Sequence, residues 1–267
     1  MESFDLKRFG QVCRRLYIVR RKDYLKIFFA ALAFFLLLTI FSCAPFHWGE
    51  MGEDLLAAQF VPMAGLLGNF AYLFLLLCGS FFISDLKNKQ ERIAELTLPG
   101  TNLEKFTARL LGSTIAFVLV LLAAFALGDL LQQAFCMLIH KGAHVSMLKV
   151  IYNTGLLSFP APVLFRFLLI SWGVNALYVL GGAFFNKAAW LKTSIFLILS
   201  FTLFAVAMVL FAYFIYTQTS YEFYLPEGHF STALLVGINL AIILLSYYFA
   251  YRIYTRLQAV NNKWWNI

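Results

Sequence analysis

The sequence predicts an all-α, polytopic membrane protein with six transmembrane helices, and three observations carry that reading. Apolar side chains make up 62% of the 267 residues and charged ones only 13%, too little polar surface to wrap a water-soluble domain. The apolar residues come in long runs parted by short polar patches, and each bilayer crossing takes about 20 mostly apolar residues. Runs such as FFAALAFFLLLTIF and LILSFTLFAVAMVLFAYFIY are apolar on every face. That suits helices and excludes a transmembrane barrel, whose strands alternate apolar and polar positions over about ten residues.

The spans run roughly from Ile27 to Ala44, Phe60 to Ser84, Ala108 to Leu131, Val163 to Phe185, Thr193 to Thr217 and Thr232 to Tyr251. Basic residues orient them. With a cytoplasmic N-terminus, 18 of the 21 Lys and Arg fall on the inner side, and only Lys141, Lys149 and Arg166 fall outside. Positive loops resist translocation, so both termini are expected in the cytoplasm. The net charge of +8 then lies along one membrane face, where anionic headgroups attract it. Nucleic-acid binding is not expected, because no basic-aromatic domain stands outside the membrane.

Residues 1–26 precede the first span. At helical spacing Leu6, Phe9, Val12, Cys13, Leu16 and Tyr17 form one stripe and Lys7, Arg8, Gln11, Arg14, Arg15, Arg21 and Lys22 the other, with only Ile18 out of place. A helix of this kind lies in the interface with its apolar face among the acyl chains; a solvated basic leader is the plainer reading. The charged start and the lack of an A-x-A-like site argue against a cleavable signal. IFSC, ending at Cys43, is a faint lipoprotein-like box. Cys13, Cys43, Cys78 and Cys136 show no C-x-x-C spacing, hence no zinc or redox motif. A Cys43–Cys136 disulfide and plain packing both remain open.

Residues 27–254 form the transmembrane domain, which carries a cytoplasmic segment at about 85–107. Asp85 to Leu98 reads as a short amphipathic helix with Leu86, Ile93 and Leu96 toward the membrane and Lys87, Lys89, Gln90, Arg92 and Glu95 largely toward water. Pro99-Gly100 stops it. Thr101-Asn102-Leu103-Glu104 fits the S/T-x-x-E capping box, in which hydroxyl and carboxylate each satisfy a free backbone N–H at a new helix start. The segment is therefore a helix-turn-helix at the membrane surface, or more blandly a soluble hairpin.

Of the outer loops, the first is acidic, the second (about Gln132 to Pro162) is long and mixed, and the third holds YEFYLPEGHF. The tail, 255–267, is too short for a domain, and Trp264 and Trp265 are expected to anchor it to the inner leaflet. Ala108, Gly112 and Ala116 form a small-x-x-x-small series that lets the third span approach another helix closely. Asn69, Asn175 and Asn239 are single polar groups within spans, read as interhelical glue more readily than as a transport site.

Chemistry is sparse. No G-x-x-x-x-G-K-[ST] or G-x-G-x-x-G turn occurs, so the chain has no nucleotide site of its own. An ion-coupled carrier would bury charges at mid-membrane depth, yet Asp129 and Arg166 fall near the outer ends. His140 and His144 stand at i,i+4, but HKGAH lacks the Glu of a zincin and contains a Gly. Together with His47 and His229 they read more readily as loop histidines than as a metal cluster. No cofactor, metal or catalytic residue is expected.

Taken together, KRFGQVCRRLYIVRRKDYL, ERIAELTLPGTNLEKFTARLL and GGAFFNKAAWLKT, in a six-span layout covering the whole chain, resemble the membrane subunits of type 2 ABC transporters, particularly the divergent permease-like proteins of Bacteroidetes. The resemblance implies an N-terminal elbow helix at about Leu6 to Lys22. It also implies a coupling helix at about Leu86 to Pro99, with Lys89, Arg92, Glu95 and Pro99 as contacts for a cytosolic ABC ATPase subunit. It further implies a homodimer or a heterodimer with a second permease in the bacterial inner membrane, ATP hydrolysis on the partner, and export of an unidentified substrate. The alternative is an integral membrane scaffold or sensor that moves nothing.

Overall fold

A computed structural model describes residues 4–43, 53–87, 89–139, 144–154, 160–218 and 229–258. His47, His140 and the tail tryptophans lie outside the described residues, as do the Cys43 and His229 side chains. The described residues form nine α-helices and no β-strand: α1 (Leu6–Cys43), α2 (Glu53–Leu77), α3 (Lys89–Leu96), α4 (Asn102–Leu111), α5 (Phe117–Ile139), α6 (Met147–Thr154), α7 (Ala161–Phe184), α8 (Ala189–Gln218) and α9 (His229–Thr255). Six helical stretches are long and apolar enough to cross a membrane, and the chain is an all-α integral membrane protein. Hydrocarbon offers the backbone no hydrogen-bond partner, so each crossing segment satisfies its own N–H and C=O groups.

The chain divides into two compact units. Unit 1 comprises Met1–Cys78 and Pro99–Leu168, and unit 2 comprises Gly79–Leu98 and Leu169–Ile267. In unit 1, α1 lies along α5 and α4, while α2 packs against α6. Phe35, Phe60, Leu67, Leu121, Phe125 and Met147 form its core. Gly128 permits the closest approach: a Cβ there would lie 2.7 Å from Cδ1 of Phe35. Asp129, buried midway along α5, accepts from Met147 N at 2.7 Å, Ser146 Oγ at 2.8 Å and Gln133 Nε2 at 2.8 Å. Its carboxylate thereby satisfies a free N–H in the first turn of α6.

The N-terminal stripe is placed differently from the sequence expectation. α1 is one unbroken helix of 38 residues, with no turn between residues 1–26 and the first span. Val12, Leu16, Arg20 and Tyr24 are its buried line, and that line faces α4 and the start of α5. Tyr17, expected on the lipid side, is exposed, but Leu16 and Val12 are taken up by protein. Residues four apart stack on one face, and α4 competes successfully with lipid for it. Between α4 and α5 the helix widens into a π turn, Gly112–Ala116, and the Tyr24 hydroxyl donates to the Gly112 carbonyl at 3.2 Å. Leu16 and Tyr24 stand against Gly112, so α1 is the helix that the small series Ala108, Gly112, Ala116 admits.

In unit 2, two 3-10 turns at Cys78–Phe81 and Ser84–Lys87 lead into α3. α7 meets the first of these turns backbone to backbone. A Cβ on Gly79 would lie 2.6 Å from the Asn175 carbonyl oxygen, and one on Gly182 would lie 2.8 Å from that of Ser80. Asn239 of α9 rests on Gly173 of α7, close to the small core of Leu169, Ala176 and Ile243. Asn175 is also buried, whereas Asn69 in α2 is exposed. α8 contributes only Thr193 to the interior.

Candidate functional site

The candidate site is α3 with the 3-10 turn before it, in unit 2, where the charged interruption of the sequence begins; the start of α4 belongs to unit 1. It begins with an unsatisfied carbonyl. Leu86 leaves helical geometry at φ −83°, ψ 23°, so its C=O has no partner one turn on. Arg92 supplies one: its Nε donates to Leu86 O, and its second terminal nitrogen reaches Asn186 Oδ1 at 3.5 Å. Arg92 is 6% exposed, and burial pulls its pKa below the usual arginine value. A guanidinium stays charged in proteins all the same, and fixed charge with planar donors suits it to cap a carbonyl.

One turn further on, Glu95 accepts from the Tyr254 hydroxyl at 2.6 Å. Tyr254 is itself buried near the end of α9, with its ring 6.1 Å from that of Phe82. α3 is therefore tied to α9 through Glu95 and to the turn after α7 through Arg92. Its other face is open: Lys89, Gln90 and Glu91 are exposed, with Ile93 42% and Leu96 50% accessible.

Pro99-Gly100 ends this segment, and Thr101 starts α4 as expected. Its side chain accepts from Glu104 N at 3.2 Å, and Glu104 Oε2 accepts from Thr101 N at 2.9 Å, closing the capping box. The same carboxylate also accepts from Asp5 N at 2.8 Å and from Arg8 Nε at 2.9 Å. Glu104 thus satisfies free N–H groups at the starts of both α4 and α1, and Arg8 neutralises it. Glu104 is fully buried, and Lys105 and Arg109 are also buried on α4.

Of the four residues expected to contact a partner, Lys89 and Pro99 are exposed, Glu95 is half-buried and engaged with Tyr254, and Arg92 is buried. The expectation that Arg92 faces water is corrected, because the orphan Leu86 carbonyl draws it inward. Leu86 is buried in protein and not set toward lipid. The pairings of Arg8, Asn186 and Tyr254 with Glu104, Arg92 and Glu95 are not legible in the sequence. Their partners lie 96, 94 and 159 positions away, beyond any helical or turn period.

Elsewhere, His144 Nδ1 lies 3.7 Å from Glu53 Oε1 with both side chains largely exposed. Among the described residues no group of three His, Cys, Asp or Glu could hold a metal ion. Cys13, Cys78 and Cys136 are free thiols, and Gln132 Nε2 donates to Cys136 Sγ at 3.1 Å. Set against family models, curated proteins and solved structures, the chain matches none of them.

Proposed function

We propose that the chain is the membrane-spanning permease subunit of an ABC transporter, with α3 as the helix on which a cytosolic ATPase subunit docks. The observation that carries this reading is the two-sided character of α3. One face is held by Arg92 and Glu95, and the other offers Lys89, Ile93 and Leu96 to a partner. A docking helix must be gripped from behind if a push on it is to reach the spans. Tyr254 joins it to α9, and Asn186 joins it to the turn between α7 and α8. The charge asymmetry of the loops supports a cytoplasmic α3 and cytoplasmic termini in a bacterial inner membrane. The subunit moves its substrate without hydrolysing ATP itself and works as a homodimer or beside a second permease.

The test is recovery of an ATP-hydrolysing partner from mild detergent. Leu96→Asp or Lys89→Glu, both on the open face, is expected to cut recovery by roughly tenfold or more, as loss of an interface hot spot does, without reducing membrane insertion. Unchanged recovery, with no nucleotide-dependent movement of solute in vesicles, overturns the reading in favour of a scaffold or sensor.

A further inference from the structure

Within unit 1 the membrane-depth parts of α1, α2 and α5 leave an apolar cleft of about 200 Å³. Ile27, Ala30 and Phe34 line it from α1, Phe70 and Phe74 from α2, and Phe125 from α5, and no polar surface faces into it. Its two ends differ. Phe34 and Phe70 meet at one end, with ring centroids 4.4 Å apart. At the other end stands Ile27, and the residue before it is Lys26.

Lys22, Lys26 and Ala30 fall at i, i+4 and i+8 of one unbroken helix, one turn apart each and rotated by roughly 40° a step around its surface. Ala30 borders the cleft, and both lysines are exposed. Neither lysine makes a hydrogen bond or ion pair among the described residues. Asp23 stands one turn before the cleft residue Ile27, and beside it Arg21, Lys22 and Lys26 set three cations against this one carboxylate, so the charge at this end is positive.

We propose that the cleft seats one acyl chain of an anionic phospholipid whose phosphate is held by Lys22 and Lys26. A partner helix does not fit, because a helix with side chains is about 10–12 Å across and fills far more than the space available. A free phosphate has no use for an apolar cleft walled by phenylalanines. An acyl chain fills it, yet the cleft alone does not choose among lipids, since all tails are equally apolar. The choice rests on the two ammonium groups at the mouth, which attract an anionic headgroup and not a zwitterionic one. The inference is independent of the ATPase reading, because a scaffold would carry the same cleft.

Native mass spectrometry of the full chain in mild detergent tests it, with phosphatidylglycerol and phosphatidylcholine of one chain length as probes. Phosphatidylglycerol is expected to be retained roughly tenfold more tightly, given two lysines near the headgroup. Lys22→Gln with Lys26→Gln brings the two lipids to parity. Ala30→Leu, or independently Ala71→Leu from the facing wall, weakens retention of both lipids and leaves the preference in place. Glycerol 3-phosphate, a headgroup without chains, does not displace the lipid. Equal retention by the native protein overturns the proposal. So does a preference that survives loss of both lysines, retention indifferent to both filled clefts, or displacement by glycerol 3-phosphate.

Discussion

α3 and α4 stand on either side of Pro99-Gly100 in the sequence, similar in length at 8 and 10 residues, and the contacts described for them differ in reach. α4 starts with its own cap, four consecutive residues closing two hydrogen bonds on themselves, and Glu104 then carries that anchor to α1. The described contacts of α3 are of another kind. Its hold comes from Arg92 reaching back to a carbonyl in the preceding turn, and from Tyr254 and Asn186, which arrive from distant helices. A cap written in adjacent residues fixes where a helix starts. A helix anchored by tertiary contacts keeps its position only while those contacts last, which suits an element that receives a push.

Substitutions sharpen this contrast. The largest effect is expected at Glu104: Glu104→Leu removes the acceptor for Thr101 N, the acceptor for Asp5 N and the counter-charge of Arg8 together. The protein should show the deepest fall in detergent melting temperature of any variant named here, and a fall no greater than that of Thr101→Ala would show that the link to α1 contributes nothing. Arg92→Ala strands the Leu86 carbonyl and should cost about 1–3 kcal/mol, read from chemical unfolding in micelles. Hydrogen exchange should rise across α3 and not across α4; equal rises in both would merge the two anchors into one.

Tyr254→Phe leaves the Glu95 carboxylate short of a donor and should cost about 1 kcal/mol. Combined with Glu95→Gln it should give a non-additive cycle, and strict additivity would mean that the two side chains do not interact. Thr101→Ala should also cost about 1 kcal/mol, with Thr101→Ser restoring most of it. The smallest effect on stability belongs to Lys89→Ala, within about 0.5 kcal/mol. If α3 is the docking helix, partner recovery should fall nonetheless, so a stable variant with poor recovery separates contact from fold.

The same contrast marks what could be read in advance. The capping box was legible because its four residues are adjacent and its geometry is the same in every helix that uses it. The inward turn of Arg92 was not legible, since an isolated amphipathic helix places any arginine toward water. Only the non-helical Leu86 carbonyl reverses that. The elbow stripe was read correctly as a stripe, but protein covers Val12 and Leu16 where lipid was expected, because an apolar face says that water is excluded and not what excludes it.

α5 and α8 make the limit plain. Both are mostly apolar, yet α5 buries Phe117, Phe125, Gly128 and Asp129 against its neighbours, while α8 buries Thr193 alone. The amino-acid sequence by itself determined that these segments are helices set in a membrane, because hydrocarbon forces the backbone to bond within itself and long apolar runs have no other stable medium. Only the tertiary structure decided which face of each helix meets protein. In lipid every face is apolar, so no stripe announces the contact, and packing, small residues and a few buried hydrogen bonds make the choice.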